Sequence, residues 1–597
     1  MPDSVVVKQT IEREVLAKEI GDMWFRWNSG RDTWLKGQSE LRAYLFATDT
    51  RNTTNTKLPW KNSTVTPKLT QIRDNLHANY MAALFPTEDW FIWEGQDKDA
   101  VTKDKRQIIE AYMKNKIKAS DFALTVSRMV LDYIDSGNVI AGHEFISDIK
   151  TDEQGNKNVK YIGPKAFRIS PFDIVFDPTA SSFDNSPMIH RVVKSVGDLH
   201  KDIKYRPELQ YNMGKLMEGM AKRHVLLDKP DMLKQAGFLV DGFATLKDYF
   251  QSNNVELLHF YGDIFDSATN TLYEDYIITV MDRCHILRML PNPSWLGTKP
   301  YRHCGWRLRP DNLWAQGPLD QLVGMQYRID HLENLKADIF DQIAHPIVKV
   351  KGNTVEDFKF GPGVTIQCGD EGDVEFLRPD SAALNADMQI HDYMNKMEEM
   401  AGAPKQAAGI RTPGEKTKYE VQVLENGAGR IFQSKVSWFE KNVIEFLLNS
   451  MLEEGRRNLA GSGDTIPVTD PDTGVVEFRS ITKEDITAKG KLYPIGARHF
   501  AEQSKMVQEL TTTLQIVENI PSVKPHISGL GVAYALEHAL GWEAYNIVKP
   551  NIAVTEQAET AKLVSAATDN VQQAAMTPSE LQPGDLPSEQ PPTQTRP

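Results

Sequence analysis

Residues 316–345 read QGPLDQLVGMQYRIDHLENLKADIFDQIAH, and Pro346 follows them. Their apolar side chains recur at the three- and four-residue spacing of one helix face. A proline near the start costs a helix little, because the N–H groups of the first turn have no partner within the helix. Pro346 disfavours helical backbone in the residue before it. The pattern therefore predicts one long amphipathic helix that begins at Gly317-Pro318 and ends at His345.

The residues that follow predict a small β insert and two further helices. Ile347–Lys351 reads IVKVK, which is typical of a strand, and turns rich in Gly and Pro carry the chain to Arg378-Pro379. A second helix is expected from Ser381 to Met400. Residues 401–418, AGAPKQAAGIRTPGEKTK, predict a polar loop, and a third long helix is expected from Lys416 to Glu454.

The first 300 residues place helices and antiparallel strands in separate blocks, which predicts an α+β fold. The expected helices span 10–47, 66–84 (with Thr66 as N-cap and Pro67 at the first helical position), 99–118, 121–135, 196–204, 207–222 and 230–237. The expected strands are 90–93, a β-meander over 139–179, and several within 255–290. Farther along, we expect a hairpin over 466–478, helices over 501–518 and 529–547, and a disordered tail poor in large apolar residues.

Composition narrows the class of protein. The chain has 597 residues, which suggests about four domain-sized units. Its three cysteines cannot form a disulfide framework, which fits a reducing compartment. No secretory signal and no uncharged apolar run near the ~20 residues of a membrane span is present, so we expect no membrane partner. The net charge of −13 argues against a protein that coats DNA, but it suits a conduit through which a polyanion must slide.

The order of helix, β insert, helix, loop and helix resembles the core of bacteriophage portal proteins, the head-to-tail connectors, most of all those of short-tailed phages. Trp306–Asp320 resembles the family's approach to its first stem helix, and Ile169–Pro178 resembles a wing strand. The resemblance covers roughly residues 10–550 and rests on order and pattern. It implies a wing (1–315), stem helix 1 (316–345), a clip (346–380), stem helix 2 (381–402), a tunnel loop (403–418), a long helix with a return to the wing (419–500), a helical crown (501–555) and a disordered tail (556–597).

The resemblance also implies a function and partners. It implies a non-enzymatic dodecamer at one capsid vertex of the virion, assembled in the host cytoplasm, without cofactor or metal. Double-stranded viral DNA would pass through it during packaging and ejection. Terminase, tail or adaptor proteins, and the major capsid and scaffolding proteins would be its partners.

Eight residues are candidates for contact with DNA in such a channel. They are Lys405, Gln406, Arg411 and Thr412 in the tunnel loop, and Arg328, Lys336, Lys349 and Lys351 in the stem and clip. Arg328 and Lys336 lie about 80° apart on a helix, so both can share one polar face. Acidic residues interleave with them, which favours a mixed-sign wall or ion pairs between subunits over a basic stripe. Solvated surface residues are the simpler interpretation of the same pattern.

Other motifs favour structure over chemistry. Residues 409–417 miss the phosphate-loop pattern, because an extra Glu415 shifts Lys416 out of register. Cys284-His285 and His303-Cys304 have the composition of a zinc set, but the spacing within each pair is wrong. Pro471–Gly474 is a favourable turn between two strands. The tryptophans suit a core or a subunit interface better than stacking on bases.

Two alternatives from other classes stay open. One is a metal-dependent nuclease or another nucleic-acid enzyme, which predicts a carboxylate cluster and a monomer or small oligomer. The other is a scaffold or adaptor of the same virion, which predicts a shorter chain without the order of helix, clip and helix.

Overall fold

The computed structural model describes residues 6–8, 13–50, 53, 61–86, 90–95, 100–151, 157–206, 209–221, 254–292, 299–345, 347–351, 373–377, 386–401, 431–459, 464–469, 476–496 and 531–533. The chain divides into two compact units, Met1–Phe500 and Ala501–Pro597. All elements named below belong to the first unit. Of the second unit, a helical segment at 531–533 is described.

The helices are α1 (Arg13–Gly30), α2 (Asp32–Phe46), α3 (Lys68–Leu84), α4 (Ala100–Ala119), α5 (Phe122–Asp135), α6 (Val196–Tyr205), α7 (Met213–Ala221), α8 (Val323–Ala344), α9 (Asp387–Ala401), α10 (residues 431–439, a π turn at Glu440–Ile444, then Glu445–Asn458) and α11 (Lys483–Ile486). The strands are β1 (Val6–Lys8), β2 (Phe91–Gly95), β3 (Asn138–Thr151), β4 (Lys157–Ile169), β5 (Ile174–Phe176), β6 (Met188–Ser195), β7 (Asn254–Asp266), β8 (Thr271–Met281), β9 (His285–Pro291), β10 (Tyr301–Gly305), β11 (Arg307–Arg309), β12 (Asn312–Gln316), β13 (Ile347–Lys351), β14 (Asp373–Leu377), β15 (Asp464–Thr469), β16 (Val476–Ile481) and β17 (Gly490–Pro494).

The largest sheet is antiparallel in the order β5-β6-β7-β8-β9, and β1 adds to β7 in parallel. Residues alternate between its faces, as strand geometry requires. Leu258, Phe260 and Ile264 of β7 pack on one face against α1. On the other face, Val255 and Leu257 pack against α6 and α7. The predicted α+β class is confirmed.

A second sheet, in the order β10-β3-β4, packs on the large sheet next to α6 and α7, and Tyr261 and Tyr301 meet between the two. The predicted meander over 139–179 is therefore wrong in one respect, because β5 leaves β4 and pairs with β6. The chain turns at a 3₁₀ helix, Pro171–Asp173. Arg31 holds this turn by donating to the carbonyls of Pro171 (2.6 Å) and Phe172 (3.0 Å).

The main apolar core is formed by seven helices, α2, α3, α4, α5, α8, α9 and α10. Apolar side chains of strands β2, β3 and β15–β17 pack into the same core. Tyr80 of α3, Tyr133 of α5 and Phe439 of α10 meet there with rings in edge or tilted contact. This core joins the base of α8 to the rest of the first unit.

Asn138 fastens the approach to α8. Its amide donates to the carbonyls of Ser136 (2.8 Å) and Ala315 (2.9 Å). Its carbonyl oxygen accepts from the Ala315 N–H (2.8 Å) and lies 3.0 Å from His303 Nε2. Asn138 is fully buried. One side chain thus ties the start of β3 to β10 and to the end of β12.

Gly137 makes that crossing possible. Its φ is +69°, and a Cβ there would lie 2.2 Å from the carbonyl carbon of Gln316. A residue with a side chain would force the end of β12, and with it the entry to α8, away from α5.

Several predicted boundaries need correction. The first long helix begins at Val323 rather than Gly317, because Asp320 makes a turn instead. Its carboxylate accepts from the Gly317 N–H (2.8 Å) and from Gln38 Nε2 (2.8 Å). The helix predicted over 207–222 begins at Met213.

Other predictions fall wholly or partly outside the described residues. They are the helices over 230–237 and 501–518, the start of the second long helix at Ser381, the first part of the third long helix, and most of 529–547. Where the third helix is described, it contains a π turn at Glu440–Ile444 that its apolar pattern did not predict.

We expect Asn138→Ala to lower the free energy of unfolding by about 3 kcal/mol or more, because it leaves several buried backbone groups of β12 and the α5–β3 corner without partners. Urea unfolding followed by tryptophan fluorescence measures this change. Asn442→Ala is the control, since its amide makes a single solvent-exposed bond to the Trp438 carbonyl (2.9 Å), and it should cost less than about 0.5 kcal/mol. Equal small costs for both variants would contradict the role of Asn138.

Candidate functional site, an antiparallel helix pair with a two-stranded ladder

Helices α8 and α9 lie side by side in opposite directions. Near the root of the pair, Gln326 of α8 and Glu398 of α9 both bind the start of α3, at the Leu69 N–H (3.1 Å) and the Lys68 ammonium respectively. Ten residues farther along α8, Lys336 forms an ion pair with Asp387, the first residue of α9. We call α8 and α9 the helix pair.

A two-stranded antiparallel ladder separates the two helices in the chain. β13 and β14 pair over five rungs, from Ile347↔Leu377 to Lys351↔Asp373. The predicted order of long helix, β insert and second helix is therefore confirmed as secondary structure.

One face of α8 carries a row of buried polar side chains instead of apolar ones. Gln326, Asp330, Asn334 and Asp338 follow one another at four-residue intervals, and the first three are almost completely buried. They bind the backbone of residues 61–66, which we call the strap. Four helical residues rise about 6.0 Å, and two extended residues span about 6.6 Å, so the steps from Asp330 to Asn334 to Asp338 each meet the next-but-one residue of the strap.

The strap runs antiparallel to α8, and we call each set of bonds between them a rung. At Thr66, the N–H donates to Asp330 Oδ1 (2.9 Å) and the carbonyl accepts from Gln326 Nε2 (2.5 Å). Asn334 accepts from the Thr64 N–H (2.8 Å) and donates to the Thr64 carbonyl (2.7 Å). Asp338 accepts from the N–H groups of Asn62 (2.9 Å) and Lys61 (3.0 Å). Because the strap's backbone finds its partners on a helix, it needs no neighbouring strand.

The same row caps α3. The sequence predicts Thr66 as the N-cap of α3, but Pro67 occupies that position, and no side chain at that position caps the helix. Instead, the side-chain oxygen Oε1 of Gln326 accepts the hydrogen bond from the Leu69 N–H. In the sequence, this row is visible as polar residues at helical spacing. The prediction of the helix relied on its apolar residues and assigned no role to the polar ones.

The helix pair exposes large apolar side chains. Phe340 and Ile343 near the end of α8 are 51% and 37% exposed, and Met388 at the start of α9 is 81% exposed. Leu335 and Met400 are also exposed. Scattered exposed apolar residues are ordinary, but five on two adjacent helices give the pair apolar area that a second protein surface can cover.

The basic stem and clip candidates fall into two groups. Lys336 is committed to Asp387, whose hydrogen bond raises the pKa of the ammonium. Lys349 lies directly opposite Glu375 in the ladder, with 3.1 Å between charged atoms.

Arg328 and Lys351 are exposed and form no ion pair with another residue of the described ranges. The result is a surface of mixed sign. Lys405, Gln406, Arg411 and Thr412 lie outside the described residues, as do residues 409–417 as a whole.

The cysteine and histidine pairs occupy structural positions. His303 and Cys304 are on β10; burial lowers the pKa of His303 to about 4 and raises the pKa of Cys304 to about 12. Cys284 is exposed in the β8–β9 turn, where its N–H donates to the Met281 carbonyl. Within the residues that the structure describes, no three His, Cys, Asp or Glu side chains form a group able to hold a metal ion.

The tryptophans belong largely to the core, as predicted. Trp306 donates from Nε1 to the Tyr80 hydroxyl (3.1 Å), and the Lys435 ammonium lies 4.8 Å from its ring centre. Trp314 stacks on Phe176 with centroids 4.4 Å apart. Among the tryptophans that the structure describes, Trp24, Trp90, Trp93, Trp306 and Trp314 are buried, whereas Trp438 is 40% exposed.

No protein-family model and no curated protein matches this chain. None of the described helices is both long and apolar enough to span a lipid bilayer.

We expect Asn334→Ala to release the strap locally, because both backbone groups of Thr64 lose their partner. The cost should be about 2 kcal/mol, and hydrogen exchange of the 61–66 amides should rise by more than tenfold. Lys396→Ala is the control, since it removes an exposed pair with Asp392 on α9. Unchanged exchange in Asn334→Ala would show that the row of polar side chains on α8 does not hold the strap.

Proposed function

We propose that this protein is the portal subunit of a tailed bacteriophage, assembled as a dodecameric ring at one capsid vertex. The observation that carries the proposal is the antiparallel helix pair, joined through a small β ladder and fixed at its root to a mixed α/β body. In this proposal α8 and α9 are the stem and β13–β14 belong to the clip. The ring conducts double-stranded DNA during packaging and ejection, and the clip docks terminase and then tail or adaptor proteins.

The exposed apolar side chains of the helix pair support assembly. Phe340, Ile343 and Met388 gain burial only when another surface covers them. Copies that repeat one such contact around an axis use a heterologous interface, and this closes into a ring when the rotation permits. Neighbouring copies of the helix pair then form the wall of the channel.

The charges of the helix pair suit a channel that DNA must slide through. Acidic groups neutralise Lys336 and Lys349 within the chain, so that of the four stem and clip candidates Arg328 and Lys351 remain available to phosphate. The tunnel loop adds Lys405. A few cations repeated around a ring of net negative subunits give weak contacts at many sites rather than one tight grip.

We expect the purified protein to form rings of about twelve 67.4 kDa subunits in native mass spectrometry. Phe340→Asp should shift the mass towards the monomer while circular dichroism stays unchanged, because a charge cannot be buried at a subunit contact without a partner. Phe478→Asp, at a more exposed side chain on β16 (75%), is the control and should leave the ring intact. A wild-type chain that stays monomeric at high concentration would contradict this expectation and favour the nuclease hypothesis.

Alanine at both Lys405 and Arg411 should reduce DNA packaging and retention in assembled particles on the order of tenfold, because each subunit loses two phosphate contacts. A packaging assay with nuclease-protected DNA measures this. Lys349→Ala is the matched control, since Glu375 already neutralises that cation. Normal packaging and retention in the double variant would remove the tunnel-loop assignment.

A further inference from the structure

Among the acidic side chains of α8 that bind the strap, Asp330 is the one whose negative charge is least compensated by its surroundings. Its side chain is fully buried. Oδ1 accepts from the Thr66 N–H (2.9 Å) and from Gln326 Nε2 (3.0 Å). Oδ2 is buried and has no hydrogen-bond partner among the described residues.

No cation compensates this carboxyl within the described part of the chain. On α8, the nearby titratable groups are Glu333, which repels a second negative charge, and His331. On α3 and α9, Lys68 and Glu398 neutralise each other.

The strap meets Asp330 through the backbone N–H of Thr66. Farther along the same face of α8 lie the acidic residues Asp338 and Asp341. The exposed Lys61 of the strap meets Asp338, two rungs away from Asp330. The donors to Asp330 are therefore neutral, and the neighbouring charges do not favour its ionised form.

We propose that Asp330 is a proton-binding site that latches the strap onto α8, holding it tightly when the carboxyl is neutral and loosely when it is ionised. A neutral carboxyl keeps Oδ1 as the acceptor for Thr66 and Gln326, and it places no charge in the interior. An ionised carboxyl must keep a buried negative charge whose second oxygen has no donor, so ionisation favours opening of the strap.

The direction of the pH dependence follows from the burial of the carboxyl. Burial, with a smaller contribution from Glu333, raises the pKa of Asp330 from 3.8 to about 6, and it outweighs the hydrogen bonds from Thr66 and Gln326, which act to lower that pKa. When the strap opens, the carboxyl regains an ordinary pKa, so the closed state binds more protons between about pH 4 and pH 6. The latch is therefore strongest below about pH 4, weakens as the pH rises through 6, and is constant above about pH 7. This device acts within one chain, whether or not the protein forms a ring.

The test is hydrogen exchange of the strap, corrected for the intrinsic pH dependence of exchange. Between pH 5 and pH 7.5, the opening constant of the 61–66 amides in the wild-type protein should rise about tenfold. The paired amides of β15–β16 serve as an internal reference that needs no variant. A strap that shows no excess change over this reference would overturn the proposal.

Two variants separate Asp330 from the other rungs. Asp330→Asn fixes a neutral side chain with one carbonyl acceptor, so its strap should keep low exchange at pH 7.5 and lose the tenfold pH dependence. Asp338→Asn makes the same change two rungs along and should retain that dependence. A pH response that persists in Asp330→Asn, or vanishes in Asp338→Asn, would assign the proton to another group. Both readouts are independent of ring assembly, so their failure leaves the proposed function standing.

Discussion

The hydrogen bonds between the polar side chains of α8 and the strap are the interaction on which the rest of the candidate site depends. A segment outside any sheet must find partners for those N–H and C=O groups that are shielded from water, and each such group left without a partner costs about 1–3 kcal/mol. Here the partners are side chains repeated every four residues on a helix, from Gln326 to Asp338. Because the helical rise over four residues nearly equals the extended rise over two, one helix can serve several rungs of one strand.

This arrangement explains how α8 leaves the body and remains oriented. Three attachments fix the root of α8. Asp320 ties the turn before α8 to Gln38 of α2. The row of polar side chains ties α8 to the strap and to α3, and Ile329 and Leu332 pack into the main core. Farther along α8, Lys336 binds Asp387, the first residue of α9, and holds α9 alongside. With the strap occupying the polar face, the exposed apolar residues of α8 and α9 remain available for a partner surface.

Much of the fold could be predicted from local pattern, because apolar periodicity reports which side of a helix or strand faces a core. That principle located α3, α4, α5, β13 and the β15–β16 hairpin within a few residues. It failed where a partner distant in sequence decides the structure. Asp320 makes a turn because Gln38 binds it, β5 changes sheets because Arg31 holds the Pro171 turn, and the strap needs a polar face 270 residues away.

The site residues divide in the same way. Lys336 and Lys349 are predicted from their positive charge and from their place in the stem and clip that the resemblance implies. Their acidic partners Asp387 and Glu375 lie 51 and 26 residues farther along the chain, and those partners decide how much of that charge remains available. In the sequence, Asp330 is only one of several acidic residues that interleave with the basic ones. Its buried, half-satisfied carboxyl becomes evident once the strap is placed beside it.

The most direct test of the portal assignment is cryo-electron microscopy of the purified full-length protein. We expect a closed ring in which α8 and α9 of every subunit surround a central channel, with β13–β14 at one end of that channel. A ring whose helix pair points away from the axis, or a particle with no channel, would contradict it.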